Sequence, residues 1–212
     1  MRKLSFCDRL LDELQHGINT SHQRPAMGAR GYPAKGIEDD SLDTMDSAHS
    51  AGLMRVNNAG EVAAQGLYRG QALGARSNAL GAAMQQAAEE ENEHLNWCQQ
   101  RLGELKQGRS LFDGVWYWGS FTIGALAAVA GDKWSLGFVK ETEQQVCAHL
   151  DRHLELLPQQ DQRSRAILAS MREDELRHAE NAAAAGAAEL PAPVKAAMTL
   201  VSKIMTFTAY RI

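Results

Sequence analysis

The chain has little cysteine, little proline and no excess of positive charge. Its 212 residues include three cysteines, Cys7, Cys98 and Cys147, odd in number and widely spaced, with no Cys-x-x-Cys. That pattern argues against a disulfide framework and for a reducing, intracellular setting, bacterial in style. Only five prolines occur, and none falls between Lys35 and Pro158. The formal net charge of -4 provides no basic field, so nucleic acid is not an expected partner. The opening MRKLSFCDRLLDEL has no long apolar core and no cleavage signal, and Asp8, Asp12 and Glu13 speak against an organellar transit peptide.

What the chain does have is helix-forming composition. Stretches rich in Ala, Glu and Gln, with few β-branched runs, point to helices. A hydrophobic content of 44% is enough for a sizeable core, and the length fits one domain with an elaboration or two small domains. Residues 3–16 read as a short amphipathic helix with Leu4, Leu10, Leu11 and Leu14 on one side, followed over 18–50 by an aperiodic connector lying over the surface. Long helices are expected over about 56–76, 78–106, 133–157 and 161–188, and a shorter amphipathic one over about 194–211. The division is an N-terminal segment, 1–52, and a bundle domain, 53–212.

Two short stretches, EEENEHL at 89–95 and REDELRH at 172–178, each place a glutamate three residues before a histidine: Glu91 with His94, and Glu175 with His178. Residues three apart share a helix face, so each pair offers a carboxylate and an imidazole side by side. Glu61 lies 30 residues before Glu91, and Glu143 lies 32 before Glu175, so one helix pair echoes the other. Four carboxylates and two imidazoles facing a shared space are the ligand set of a carboxylate-bridged di-metal site in a four-helix bundle. Four negative charges balance two divalent cations, and this donor set suits iron or manganese. A single Glu-x-x-His on an exposed helix usually means nothing; two copies with matched upstream glutamates carry the assignment. The neighbouring acids Glu89, Glu90, Glu93, Glu173 and Asp174 read as a solvated face. Crowded carboxylates in an empty site should repel, so Glu175→Ala is expected to abolish metal binding without unfolding the bundle.

The run Arg-Val-Asn-x-Ala-Gly-Glu within 53–73, then Tyr68, the two Glu-x-x-His pairs, KETEQQVCAHLDRHL and REDELRHAEN together resemble the demethoxyubiquinone hydroxylase family. These are membrane-associated di-iron hydroxylases of ubiquinone biosynthesis, and the resemblance spans roughly 53–212. It implies a ferritin-like all-α bundle with an apolar crossover and a C-terminal helix. It implies two iron ions held by Glu61, Glu91, His94, Glu143, Glu175 and His178, with Glu91 and Glu175 bridging and Glu61 and Glu143 terminal. It further implies O2 and a polyprenylated quinol as substrates, and a reductant that is external or the quinol itself. A homo-oligomer or a biosynthetic complex stays open. The family usually has His where this chain has Asn58, which puts a hydrogen bond near Glu61 in question. Family members also carry a histidine at the place of His149, near iron and substrate; a satisfied polar residue at the bundle's inner edge is the plain alternative. Tyr68 faces the side of Glu61 and either bonds a ligand or packs in the core. His16, His22, His49 and His153 show no constellation.

Residues 114–131 carry no charge over 18 residues, with Trp116, Tyr117 and Trp118 at one end and Trp134 just beyond the other. The stretch is marginal for a span and contains Gly and Ser. It is expected to be a helix or hairpin lying partly in one leaflet, or else a buried core or dimer helix. With Val201, Ile204, Met205, Phe207 and Tyr210 as a second stripe, the expected location is the cytoplasmic face of a bacterial inner membrane, peripherally bound. The expected activity is hydroxylation of a demethoxyubiquinol ring. The alternatives on the same fold are an iron-storage ferroxidase and a peroxide-reducing protein. The latter usually carries a four-cysteine site that is missing here.

Overall fold

Long proline-free stretches become long helices. The computed structural model describes residues 6–22, 30–38 and 42–212. Seven helices follow in order: α1 (Phe6–His22), α2 (Thr44–Gly74), α3 (Asn78–Glu104), α4 (Asp113–Ala130), α5 (Asp132–Leu156), α6 (Gln162–Ala184) and α7 (Ala192–Arg211). Helices α2, α3, α6 and α5 pack in a ring, each against the next, with α4 as the crossover between α3 and α5. The result is an all-α, ferritin-like four-helix bundle. Helix α7 lies against α2 and α5, and α1 against α4 and α2.

Several boundaries differ from the sequence reading. Helix α2 begins twelve residues early, at Thr44, because the Asp43 carboxylate caps it, accepting from the backbone N–H of Met45 and Asp46 at 2.8 Å each. Helix α1 runs on to His22, beyond the expected end at 16; Leu4 and the side chain of Leu10 lie outside the described residues. Helix α6 stops at Ala184 because Gly186 takes φ +91° and Ala187 N–H bonds back to Ala182 C=O at 3.2 Å. The uncharged crossover is a single helix, not a hairpin.

Small residues fix that crossover in place. A Cβ added at Gly66 or Gly70 of α2 would stand 2.2 Å from the carbonyl oxygens of Tyr117 and Phe121, and one at Gly124 of α4 would stand 2.2 Å from that of Leu67. The two backbones therefore touch, which only glycine allows. One side of α4 is buried through Tyr117, Gly124, Ala127 and Ala128, while Val115, Leu126 and Val129 remain exposed.

The bundle core has two apolar layers. One contains Met54, Trp97, Cys98, Leu150 and Met171; the other contains Tyr68, Met84, Ala88, Val139 and Ala182. Along each of the four helices the polar residues at 61, 91–94, 143 and 175–178 fall between these layers. Register alone thus brings them to one level.

Candidate metal centre

All six residues singled out by spacing meet in the bundle and are buried. They form two groups, Glu61–Glu91–His94–Glu175 and Glu91–Glu143–Glu175–His178, each with one ligand atom per residue lying within 4.8 Å of the others. Glu91 and Glu175 belong to both. Glu91 turns Oε2 to His94 Nδ1 (3.0 Å) and Oε1 to His178 Nδ1 (3.1 Å). Glu175 turns Oε1 to His94 Nδ1 (3.1 Å) and Oε2 to His178 Nδ1 (3.3 Å). Glu61 and Glu143 each join one group only. The shared carboxylates have the disposition of bridging ligands, and the other two that of terminal ligands.

Protonation makes the same case for a pair of cations. Burial, with the charges of Glu91 and Glu175, pushes Glu61 and Glu143 well above the usual carboxylate range. Glu91 is ionised: burial opposes this, but the charge of His94 and bonds from His178 and His94 outweigh it. Burial and the charge of Glu91 work against ionisation of Glu175, yet bonds from His178 and His94 hold it low. Despite burial, His94 is pushed well up by Glu91 and its other carboxylate partners, and His178 up to about 12. Every one of these shifts draws protons toward the cluster or relies on a charged imidazole, the positive charge that metal cations would supply. Glu91 Oε1, Glu175 Oε2 and His178 Nδ1 are buried and meet one another only as charged neighbours, none of them in an aligned hydrogen bond. The residues fit two divalent cations.

The ionised state of Glu175 corrects one expectation. It stands between two imidazolium groups, so removing it loses two attractive partners as well as relieving the repulsion from Glu91.

A second correction concerns the neighbouring acids. Glu89 and Glu173 are exposed, but Glu90, Glu93 and Asp174 are not a solvated face. Asp174, 3% exposed, accepts from His94 Nε2 at 2.9 Å, and Glu90 accepts from His178 Nε2 at 2.7 Å. Each acid fixes the ring nitrogen that points away from the cluster, leaving Nδ1 to face inward. The signal was in the sequence. An acid precedes the glutamate of both pairs, Glu90-Glu91-x-x-His94 and Asp174-Glu175-x-x-His178, and each serves the histidine of the other pair.

Tyr68, wholly buried, donates its hydroxyl to Glu143 Oε1 and meets the His178 ring edge-on at 6.5 Å. Asn58 does not bond Glu61; its amide donates to Asp113 Oδ2 at 3.2 Å, tying α2 to the start of α4. His153, for which no constellation was evident, lies against His149 with ring centres 3.8 Å apart and planes tilted by 55°, and bonds Asn57 Oδ1 at 3.1 Å. Burial and the nearby Arg152 push the His149 imidazole down to about 4, so it is neutral at pH 7.

A cavity of about 350 Å³ joins these features. Glu61, Glu91, Glu143 and Glu175 line it, with His149 in the wall, and its remaining lining is largely apolar, from α2, α4, α5 and α7. Ile123 of α4 and Val201 of α7 both line this cavity and reach solvent.

Comparison with known proteins agrees with the site. The family model described as "Ubiquinone biosynthesis protein COQ7" matches residues 48–209. The chain is 53% identical over 205 residues to the 3-demethoxyubiquinol 3-hydroxylase of Chromobacterium violaceum, covering 97% of this chain and 99% of that protein. The protein of the same name from Nitrosococcus oceani is 53% identical over 209 residues, covering 99% and 98%. That of Xanthomonas euvesicatoria pv. vesicatoria is 55% identical over 205 residues, covering 97% and 94%. With three-quarters of its length matched by the family model and both clusters intact, the chain belongs to the ubiquinone biosynthesis protein COQ7 family.

Proposed function

We propose that the chain is a di-iron monooxygenase that hydroxylates the ring of a demethoxyubiquinol, a 2-polyprenyl-3-methyl-6-methoxy-1,4-benzoquinol, with O2. The observation that carries this reading is the cavity whose lining includes both the four ligand carboxylates and an apolar wall from α4 and α7. A ferroxidase has no use for such a wall.

Glu61, Glu91, His94, Glu143, Glu175 and His178 would hold two irons, which supply the activation of O2. The apolar wall takes the quinol ring, excludes bulk water and orients the ring against the carboxylates. His149, neutral at pH 7, offers a ring nitrogen to accept the proton of a quinol hydroxyl. Tyr68 holds Glu143 in place by its hydroxyl. One oxygen atom enters the ring and the other leaves as water. That balance needs two electrons and two protons, from a reductant outside the chain or from the quinol.

The polyprenyl tail places the reaction at a bilayer. No helix among the described residues is long and apolar enough to cross a membrane. The exposed apolar residues of α4 (Val115, Leu126, Val129) and α7 (Val201, Ile204, Phe207) would rest in one leaflet, on the cytoplasmic face of the inner membrane. The test is to load the protein with ferrous iron anaerobically, add demethoxyubiquinol, admit ¹⁸O2 and weigh the product. One heavy oxygen in the quinone supports the reading. Iron that oxidises and accumulates beside unchanged quinone rejects it in favour of iron storage.

A further inference from the structure

Residues 30–38 precede the part of the chain that the family model matches, yet they are built into the bundle. Ala34 is fully buried in the core layer that contains Met54, Trp97 and Met171. Tyr32 donates its hydroxyl to Glu104 of α3 at 3.1 Å, and Arg163 of α6 donates to Ile37 C=O. This strap lies across the α3–α6 seam, and Arg30 stands at its start.

Arg30 reaches the surroundings of the metal ligands by three routes. Its backbone N–H donates to Glu93 Oε1 at 3.0 Å, and its Nε–H to Glu93 Oε2. Its Nη1 donates to Asp174 Oδ2 at 2.7 Å, the same oxygen that accepts from His94 Nε2. Its guanidinium lies 4.9 Å from the centre of the Trp97 ring, and Trp97 lies 5.3 Å from the His94 ring. Ion pairs at a surface are worth little. Here the Arg30 side chain is 40% exposed, but those of Glu93 and Asp174 are only 10% and 5% exposed. The other histidine is supported without the strap: Glu90, which holds His178, is backed by Gln86 at 3.2 Å and by Arg177 at 3.5 Å, and Arg177 also pairs with the second oxygen of Asp174, Oδ1, at 2.8 Å.

We propose that Arg30 is a positioning residue for the metal ligand His94, acting through Asp174, so that the N-terminal strap sets the properties of one metal position and not the other. The fork of Arg30 fixes Asp174 against Glu93. Asp174 in turn fixes the tautomer and tilt of His94, leaving Nδ1 to face Glu61, Glu91 and Glu175. Outer partners of this kind tune both affinity and spectrum of a bound metal.

This rests on the di-metal reading, and wild-type protein comes first: failure to take up two ferrous ions would reject that reading before any variant is compared. The full chain is then prepared as Arg30→Ala, Arg30→Lys and, as control, Tyr32→Phe, which loosens the strap away from Asp174. Helix content of each apo protein checks folding. Anaerobic ⁵⁷Fe(II) titration against a chelator gives the two affinities, and Mössbauer spectra of the diferrous proteins give the signature of each position. In Arg30→Ala one iron should bind about tenfold more weakly, with its doublet shifted and the other unchanged. Arg30→Lys should recover part of the loss, and Tyr32→Phe should match wild type. Two unchanged affinities and spectra in Arg30→Ala overturn the proposal. So does an equal effect in Tyr32→Phe, because the strap's general stability would then be the cause.

Discussion

Glu175 and Glu61 lie in the same metal cluster, in opposite states. Glu175 is held low between two imidazole rings, whereas burial pushes Glu61 well up, toward its neutral form. Glu61→Gln therefore replaces a neutral acid by a neutral amide, and apo stability should change by no more than about 1 kcal/mol. Iron stoichiometry should drop from two toward one. Glu175→Gln removes an ionised partner shared by both histidines. It should lose both irons and cost the apo bundle about 3–5 kcal/mol, as when one member of a buried pair is removed. Iron analysis with chemical denaturation separates the two outcomes. Protons displaced by metal follow the same scheme. Loading wild type near neutral pH in weak buffer should release protons, and Glu61→Gln fewer. Because protons compete with the metal, affinity should rise with pH. An indicator dye reads this directly.

At the scale of elements, the four bundle helices and the level of the site were legible in the sequence. Glu-x-x-His repeats with a helical period, and the upstream glutamates keep nearly constant spacing. The first three turns of α2 were not. Thr44–Arg55 is rich in small and polar residues without an apolar stripe: its first turn is largely exposed, and 50–54 are buried by close approach, a Cβ at Gly52 meeting the Tyr210 ring at 2.6 Å. The supporting acids Glu90 and Asp174 were hidden by company, since five acids crowd the two motifs and only packing tells exposed Glu89 from paired Glu90. Arg30 was illegible, because its partners lie 63 and 144 residues away in sequence. The glycine seam between α2 and α4 gives a test of its own. Gly124→Val pushes a branched side chain into the Leu67 carbonyl, and α4 must move off α2. Stability should fall by about 3 kcal/mol or more. The variant should also release substrate more readily, since α4 walls the cavity. Denaturation and quinol binding measure both.

On the scale of the whole molecule, most of the large exposed apolar residues lie on the outer helices, with Met45, Trp134, Leu156 and Leu176 scattered over the bundle. Leu11, Leu14 and Ile18 of α1, Val115, Leu126 and Val129 of α4, and Leu200, Ile204 and Phe207 of α7 all face solvent. Apolar patches on this scale mark an interaction surface. Immersing one Leu or Phe in a leaflet contributes about 1.5 kcal/mol or more. Leu126→Glu and Phe207→Glu should each weaken vesicle binding by about tenfold or more in a flotation assay. Turnover of a short-tailed, water-soluble quinol should be unchanged.

The crossed wiring of the acids bears on how the chain can be divided. Asp174 on α6 serves His94 on α3, and Glu90 on α3 serves His178 on α6, while each shared glutamate serves both. Neither helical hairpin, α2 with α3 or α5 with α6, contains a finished coordination sphere for even one ion. Cut between α3 and α5, the protein would become two inert halves, each a template for the other. Mixing the halves should restore both metal positions together or neither, so that assembly of the bundle and construction of its chemistry are a single event.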